Sequence, residues 1–319
     1  MKKALLSLIL CFSIILCNFS FSASALITDE INFEDISFTA NVVEKDFETN
    51  IVEKKVYYED ENGNTNVDVI DTWEDESSNS SVISSKALSM ITPTVNLRSI
   101  IGGSDDRILV SNTKVFPYSA IVHLEIFFGL NVYRGTGFLI SDNIVVTAAH
   151  CLYDEELGWA TNVTVRPGRN GALIPFGLAT SKVCAVSTEY YETGDSNYDW
   201  GAISVHHSII NKPGSFPLKI VDNTSSPINA RISGYPAYVG SSSISTTKQY
   251  EATGTVNILN NYKFYYTIDS SGGQSGAPIL NENNEVIGIH TSGSTNYNYG
   301  VRITPQVSYY LNEFLAKYD

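Results

Sequence analysis

Residues 135–151 read GTGFLISDNIVVTAAHC, and this stretch decides the fold. Two apolar runs, GTGFLI and IVVTAAH, lie on either side of the polar turn SDN. Apolar runs that flank a short polar turn indicate a β-hairpin. The second run ends at His150, so the sequence predicts a histidine at the end of a buried strand.

Short strands separated by polar turns continue to the C-terminus. In AIVHLEIFF, apolar residues recur at every second position from Val122 to Phe128, which is typical of a strand with one buried face. The further strand candidates are ATNVTVRP, DWGAISV, ARISGYP, TGTVNIL, KFYYTID, PIL, EVIGIHT and YGVRIT. Many short strands at even spacing favour a β-sandwich or a β-barrel.

One helix is predicted at the C-terminus, over residues 304–318. Thr304 suits the N-cap position and Pro305 the first helical position. The apolar residues that then fall on one face of the helix are Val307, Leu311, Phe314 and Leu315.

The N-terminus reads MKKALLSLILCFSIILCNFSFSASA, with a positive start, an apolar stretch and a small-residue end. This pattern predicts a secretory signal peptide over residues 1–25, with cleavage after Ala25. A membrane anchor is the alternative, but the apolar stretch is shorter than the roughly 20 residues that span a bilayer. We therefore expect a secreted, extracellular protein without stable membrane association.

Residues 26–98 differ in composition from the rest of the chain. They contain 16 Asp and Glu against 5 Lys and Arg, whereas the residues from 99 onward contain 18 against 13. We interpret residues 26–98 as a separate acidic propeptide, with a strand pattern only at 51–58, and residues 99–319 as the main domain. The net charge of −14 and the lack of a basic patch argue against nucleic-acid binding.

Two cysteines lie outside the signal segment, Cys151 and Cys184. Secretion permits a disulfide between them, and two buried free thiols are the alternative. Acidic pairs such as Asp105 and Asp106 could bind calcium, but such clusters are more often solvated charges. We expect no required metal and no cofactor.

Three short motifs supply the residue types that nucleophilic catalysis needs. His150 lies in TAAHC, Asp199 enters an apolar strand in NYDWGAI, and Ser275 lies among small residues in GGQSGAP. A serine is a weak nucleophile until a base accepts its proton and a third group orients that base. An acid that leads into an apolar strand is expected to be buried, and a buried carboxylate requires a partner.

The three motifs resemble the catalytic blocks of secreted bacterial chymotrypsin-fold serine proteases, and most of all the glutamyl endopeptidases of the Bacillus and staphylococcal V8 type. The order histidine, aspartate, serine is that of chymotrypsin and differs from subtilisin and the α/β-hydrolases. The resemblance covers about 99–319 and extends to GSDDR, FPYSAIVH, PGRNG, ISGYP and GIHTSG. It implies an all-β fold of two antiparallel six-stranded β-barrels, at about 99–209 and about 220–303, before the C-terminal helix.

The resemblance also implies the catalytic roles. Ser275 would attack the peptide carbonyl, His150 would accept and return the proton, and Asp199 would orient the imidazole. The backbone N–H groups of Gly273 and Ser275 would form the oxyanion hole, where a side chain at position 273 would hinder the turn. The expected partners are polypeptide substrates, and the expected state is a monomer.

A preference for cleavage after glutamate is a further implication of the same resemblance. In that family, the primary specificity pocket holds a histidine, which matches His290, and a Ser or Thr, which matches Ser270. A buried carboxylate needs such donors. Asp269 is next to Ser270 and would favour Lys or Arg substrates if it pointed into the pocket.

The sequence SIIGG after Arg98 looks like the activation site of pancreatic proteases. That mechanism needs an aspartate before the nucleophile, where this chain has Gln274. The Bacillus-type enzymes begin at a position that matches Ser99, so the resemblance implies a processing protease at Arg98–Ser99 and an α-amine of Ser99 near the pocket. The family cysteine that pairs with the one after the catalytic histidine is expected at Arg134 here.

Two other functions compete with a glutamate-specific zymogen. The first is a chymotrypsin-fold protease of other specificity, and the second is a catalytically inactive homologue that acts as a binding module. Retention of His150, Asp199 and Ser275 argues against the second.

Overall fold

The computed structural model describes residues 39–60, 62–75, 98–99, 103–206, 209, 211–239 and 247–319. Twenty strands lie in these residues, in chain order β1 (Thr39–Asp46), β2 (Ile51–Glu59), β3 (Thr65–Glu74), β4 (Arg98–Ser99), β5 (Ile108–Leu109), β6 (Ile121–Phe128), β7 (Asn131–Leu139), β8 (Ile144–Thr147), β9 (Tyr153–Asp154), β10 (Gly158–Trp159), β11 (Asn162–Pro167), β12 (Ala179–Ser187), β13 (Gly201–Val205), β14 (Ile228–Gly234), β15 (Tyr250–Ile258), β16 (Lys263–Tyr266), β17 (Ser270–Ser271), β18 (Pro278–Leu280), β19 (Val286–Gly293) and β20 (Asn298–Arg302). The described α-helices are α1 (Thr188–Thr193) and α2 (Pro305–Tyr318), and short 3₁₀ turns occur at Tyr118–Ala120, Ala149–Cys151 and Ser196–Tyr198.

The first barrel contains six antiparallel strands in the order β11-β6-β7-β8-β13-β12, and pairing of β11 with β12 closes it. The hairpin predicted from residues 135–151 is β7–β8, in which Phe138 pairs with Val146. The two strands on either side of the turn supply fully buried apolar residues such as Leu139 and Val145, so the barrel interior is apolar. His150 lies in the 3₁₀ turn directly after β8.

The second barrel has the order β14-β18-β19-β20-β16-β15, and pairing of β14 with β15 closes it. Helix α2 follows, and the Thr304 hydroxyl caps it by accepting the backbone N–H of Val307 at 3.2 Å. The predicted fold of two six-stranded antiparallel barrels with a C-terminal helix is therefore confirmed.

The predicted extent of the first barrel is wrong at its N-terminal end. Strand β5 pairs with β15, so residues 108–109 extend the sheet of the second barrel, whereas β4 pairs with β17 in a separate two-stranded sheet. The reason is the length of β15. Its C-terminal residues, Val256 to Ile258, pair with β16, and on the same edge its first residues, Tyr250 and Glu251, pair with β5 instead.

Residues 39–75 form three strands, although the sequence predicts one; we call them the pro-strand segment. Strand β1 pairs with β12 from Val42–Ser187 to Asp46–Val183, and β2 and β3 extend the same sheet. Buried residues of this segment, among them Val43 and Val52, belong to the core of the first barrel. The segment is therefore packed as part of the first barrel's sheet.

The predicted signal peptide, residues 1–25, lies outside the described residues. Neither α1 nor α2 of the described part is long and apolar enough to cross a membrane.

Candidate active site

His150 and Asp199 are in direct contact. The His150 Nδ1–H donates to Asp199 Oδ2 at 2.8 Å, and the backbone N–H of His150 donates to Oδ1 at 3.0 Å. Asp199 follows the 3₁₀ turn Ser196–Tyr198 and is buried. Because a carboxylate only accepts hydrogen bonds, this contact places the proton on Nδ1 and leaves Nε2 as the basic nitrogen.

The pair shifts both pKa values. Burial lowers the pKa of His150, but the charge and hydrogen bond of Asp199, together with the neighbouring Cys151, outweigh burial, and the pKa lies well above the ordinary 6.5. Burial raises the pKa of Asp199, but the charge and hydrogen bonds of His150 outweigh it and lower the pKa below 3.8. The attraction between the two groups therefore stabilises an imidazolium beside a carboxylate.

Ser275 lies on the loop that leads into β18. Its hydroxyl donates to the carbonyl oxygen of Thr291 at 3.4 Å, and its own carbonyl oxygen accepts the backbone N–H of Thr136 at 2.8 Å. The Cys151 thiol donates to the same carbonyl oxygen at 3.9 Å. The residue after His150 is thus in contact with the nucleophile loop, and the structure brings the three predicted catalytic residues to one region.

The carbonyl groups on either side of the predicted oxyanion-hole residues Gly273 and Ser275 are engaged in backbone hydrogen bonds. The Gly272 carbonyl accepts the Ala237 N–H at 2.6 Å, and the Gln274 carbonyl accepts the Ala277 N–H at 2.9 Å. In a trans peptide the next N–H points the opposite way. Within the described residues, the N–H groups of Gly273 and Ser275 have no acceptor, so both are available to a ligand.

Gly273 must be a glycine. Its φ is +91°, and a Cβ at this position would lie 2.6 Å from the carbonyl oxygen of Tyr235. Both the left-handed backbone and the close contact exclude other residues.

Thr136, which the sequence did not single out, joins the two barrels at this loop. It lies on β7, and its hydroxyl donates to the Gly273 carbonyl at 2.8 Å and accepts the Tyr235 N–H at 3.0 Å. Its backbone N–H binds the Ser275 carbonyl. The strand that precedes the His150 hairpin turn therefore fixes the loop that carries Ser275.

Arg107 supports the same loop from the other side. Its guanidinium donates at 2.8 Å to the Ser271 hydroxyl, to the Gln274 side-chain oxygen and to the Tyr238 carbonyl. Asp105 accepts two further bonds at 2.8 Å. Gln274 occupies the position where a pancreatic protease has aspartate, and here the cation of Arg107 holds it. The motif GSDDR was the available signal, but a sequence does not show which loop Arg107 reaches.

His290 is buried on β19 and contacts a second buried group. The Tyr266 hydroxyl lies 2.6 Å from His290 Nδ1 and donates to the Tyr299 carbonyl at 2.8 Å. Burial, together with the positive charge of His150, lowers the pKa of His290 to about 3. His290 is therefore neutral in the unliganded protein at neutral pH.

The other predicted pocket residues lie on or beside β17. Ser270 is buried, and its backbone pairs with Ser99 of β4. Asp269 is also buried, and its Oδ2 accepts the backbone N–H of Asp106 at 3.0 Å. The Asp269 carboxylate thus faces the 105–107 segment, which disfavours a trypsin-like pocket.

Cys151 and Cys184 are both buried free thiols, so of the two alternatives that the sequence left open the structure has the free thiols. Cys184 lies on β12 between Lys45 of β1 and Ile203 of β13, whereas Cys151 faces β7. The residue opposite Cys151 is Gly135 rather than Arg134, because a Cβ on Gly135 would lie 3.1 Å from the Cys151 sulfur. The expected place of the family cysteine was therefore one residue off.

No cluster of three or more His, Cys, Asp or Glu that could hold a metal ion is found in the described ranges. Asp105, one of the calcium candidates, is paired with Arg107.

Comparison with known proteins gives relatives with the same architecture. The Trypsin family model matches residues 110–315. An extracellular metalloprotease of Bacillus subtilis is 36% identical over 217 residues, which are 66% of this chain and 67% of the relative. A glutamyl endopeptidase of Bacillus licheniformis is 36% identical over 224 residues, again 66% of this chain and 67% of the relative.

A solved structure of a Glu endopeptidase in complex with MPD superposes with a TM-score of 0.60 at 30% identity, and the match covers 68% of this chain and 99% of that one. The family match, the two closed barrels and this structural similarity agree with one another. The chain belongs to the trypsin family and is a serine endopeptidase of chymotrypsin fold that resembles the glutamyl endopeptidases of Bacillus.

Proposed function

We propose that this chain is the zymogen of a secreted endopeptidase that cleaves preferentially after glutamate, through a triad of His150, Asp199 and Ser275. The observation that carries the proposal is the His150–Asp199 hydrogen bond at 2.8 Å, together with a serine loop on which the N–H groups of Gly273 and Ser275 have no acceptor among the described residues. The Ser275 hydroxyl would leave the Thr291 carbonyl and transfer its proton to His150 Nε2 as it attacks the substrate carbonyl. The N–H groups of Gly273 and Ser275 would then bind the oxyanion.

His290 would provide the glutamate preference. An imidazolium has two N–H donors, and the contact of Nδ1 with the Tyr266 hydroxyl at 2.6 Å supports a role for one of them. Nδ1–H would donate to Tyr266, whose hydroxyl donates to the Tyr299 carbonyl, while Nε2–H would bind the substrate carboxylate. The bound carboxylate would favour the proton on His290, because an opposite charge raises the pKa of a histidine. A substrate without a carboxylate would leave His290 neutral, with no proton on Nε2 to donate.

Cleavage at Arg98–Ser99 would place a new α-amine beside the pocket. The antiparallel register of Ser99 with Ser270 supports this placement. An ammonium group there would add a second positive charge for the glutamate side chain. A glutamate-specific enzyme would not cut after Arg98, so a separate processing protease would complete maturation.

Secretion, a monomeric state and polypeptide substrates remain parts of the same proposal. The signal-like N-terminus supports export, as does the name of the extracellular relative in B. subtilis. The net charge of −14 disfavours nucleic acid as a partner.

Mass-spectrometric mapping of cleavage sites tests the proposal. The chain matured at Ser99 would digest a denatured protein mixture, with Ser275→Ala as the control. We expect cuts mainly after glutamate and fewer after aspartate, whose shorter side chain reaches the donors less well, and none in the control. Cuts mainly after Lys or Arg would refute the pocket assignment and leave the triad in place.

A fluorophosphonate probe separates an active enzyme from an inactive binding homologue. Labelling that disappears in Ser275→Ala would establish an activated serine. A folded, matured chain that fails to react would support the binding-module alternative.

A further inference from the structure

The pro-strand segment fills an open edge of the first barrel. Closure of the barrel uses only the start of β12, where Thr180 and Ala179 pair with β11. The second half of β12 pairs with β13 on one side and with β1 on the other. Without β1, the backbone from residue 183 to residue 187 would have an unpaired edge.

A buried carboxylate connects this segment to helix α2. Glu44 on β1 is 2% exposed and accepts five side-chain hydrogen bonds. Two donors come from the segment itself, Lys55 at 2.7 Å and Tyr57 at 2.6 Å. The three from α2 are Tyr310 at 3.0 Å, Tyr318 at 2.8 Å and Lys317 at 3.3 Å.

Apolar contacts surround this cluster. Val42, Val43 and Val52 are fully buried in the core of the first barrel. The rings of Tyr57 and Tyr310 meet edge to face at 5.2 Å. Interfaces of this kind, with an apolar centre and satisfied polar groups, resemble permanent rather than transient contacts.

The polar contacts of the segment do not involve His150, Ser275 or His290 among the described residues. They go to β12, to α1 through Lys54 and Glu192, to α2, and to His206 through Glu48.

We propose that residues 39–75 remain bound after maturation as a non-covalent subunit that completes the edge of β12 and is held on helix α2 by Glu44. The inference rests on the proposed cleavage at Arg98–Ser99. After cleavage nothing covalent would hold the segment, so its retention would depend on the pairing of β1 with the edge of β12 and on the contacts with α2.

The test cuts the intact chain without relying on its own activity. A recognition sequence for a site-specific protease is inserted between residues 86 and 87 of the full chain that carries Ser275→Ala. After complete cleavage, size-exclusion chromatography at about 1 µM and native mass spectrometry show whether the two fragments stay together. We expect a one-to-one complex. Release of the segment from a protease domain that keeps its circular dichroism spectrum would overturn the proposal.

Two matched variants test the role of Glu44. Glu44→Gln removes the buried charge and leaves Lys55 and Lys317 without it, so we expect binding of the cut segment to weaken at least 10-fold. Glu74→Gln changes an exposed residue of β3 and should leave binding unchanged. Equal binding by both variants would overturn the assignment of Glu44. Since Ser275→Ala and an inserted site are used, these outcomes do not depend on glutamate specificity or on natural processing.

Discussion

At the scale of single residues, the His150–Asp199 pair sets how activity depends on pH. Asp199 raises the pKa of His150 above 6.5 against the effect of burial, and His150 accepts a proton only when it is neutral. We therefore expect kcat/KM to fall as the pH decreases through that raised pKa, with a midpoint above pH 6.5. Asp199→Asn should move the midpoint down and lower kcat by about 10⁴-fold. pH–rate profiles of both proteins measure this, and an unmoved midpoint would contradict it.

Arg107 acts on catalysis through the loop that it supports. Arg107→Met removes one of the two donors to the Gln274 side-chain oxygen, the other being the Ser271 N–H, and should displace the N–H of Gly273. We expect kcat to fall by up to about 100-fold with little change in KM, the loss typical of one oxyanion donor. Steady-state kinetics measures this, with Arg134→Met, a change of an exposed residue, as the control. A folded Arg107→Met enzyme with full kcat would show that the loop holds its shape without the cation.

Tyr266 is expected to affect specificity rather than the triad. Tyr266→Phe removes the acceptor for Nδ1–H of a charged His290, so kcat/KM for glutamate substrates should fall about 10-fold or more. The rate of fluorophosphonate labelling should stay unchanged. Tyr265→Phe, whose ring contacts Tyr297 at 5.1 Å, serves as the control. Equal losses in labelling and in glutamate cleavage would assign Tyr266 a purely structural role.

At the scale of elements, local pattern predicted most strands but not their partners. The β7–β8 hairpin and α2 follow from alternation, turn residues and capping, all of which lie within a few residues of each other. Strand β12 was missed because residues 183–187 are buried on both faces, so that half of ATSKVCAVS shows no alternation between apolar and polar residues. The contacts of Thr136, Arg107 and Tyr266 join distant parts of the chain, and no short-range pattern records them.

The contact between β7 and the turn after β8 predicts a new disulfide. A Cβ at Gly135 would lie 3.1 Å from the Cys151 sulfur, about the distance from a Cβ to the far sulfur of a disulfide. Gly135→Cys should therefore pair with Cys151 and raise the free energy of unfolding by about 3 kcal/mol. Denaturant unfolding with and without reductant measures the gain. Gly135→Ala adds the Cβ without the bond and should destabilise the protein, and a gain in that variant would refute the disulfide explanation.

At the scale of the whole molecule, the buried Glu44 makes retention of the pro-strand segment sensitive to acid. Burial raises the pKa of Glu44, but the charges of Lys55 and Lys317 and the hydrogen bonds outweigh it and lower the pKa below 4.5. A carboxylate with a lowered pKa stabilises the folded form above its unfolded pKa and loses this effect as the pH falls through its folded pKa. The cut complex should therefore stay intact at pH 5 and weaken towards pH 3.

Chromatography of the cut chain at several pH values measures this dependence. Glu44→Gln has no group to titrate at this position, so its weaker binding should change less over the same range. A parent complex as tightly bound at pH 3 as at pH 7 would contradict the role of the Glu44 charge.

The contact between β1 and α2 also determines when, during synthesis of the chain, the pro-strand segment can become buried. Glu44 and Tyr310 are 266 residues apart, so a chain made from its N-terminus exposes the valines of β1 until its last helix exists. Until β12 is made, the edge of β1 is open to pairing with other chains, which is a route to aggregation. The pro-strand segment is thus the part of the nascent precursor in greatest need of a chaperone. A circular permutant that joins Asp319 to residue 37 and begins at Ser99 would synthesise its partners first and remove that need.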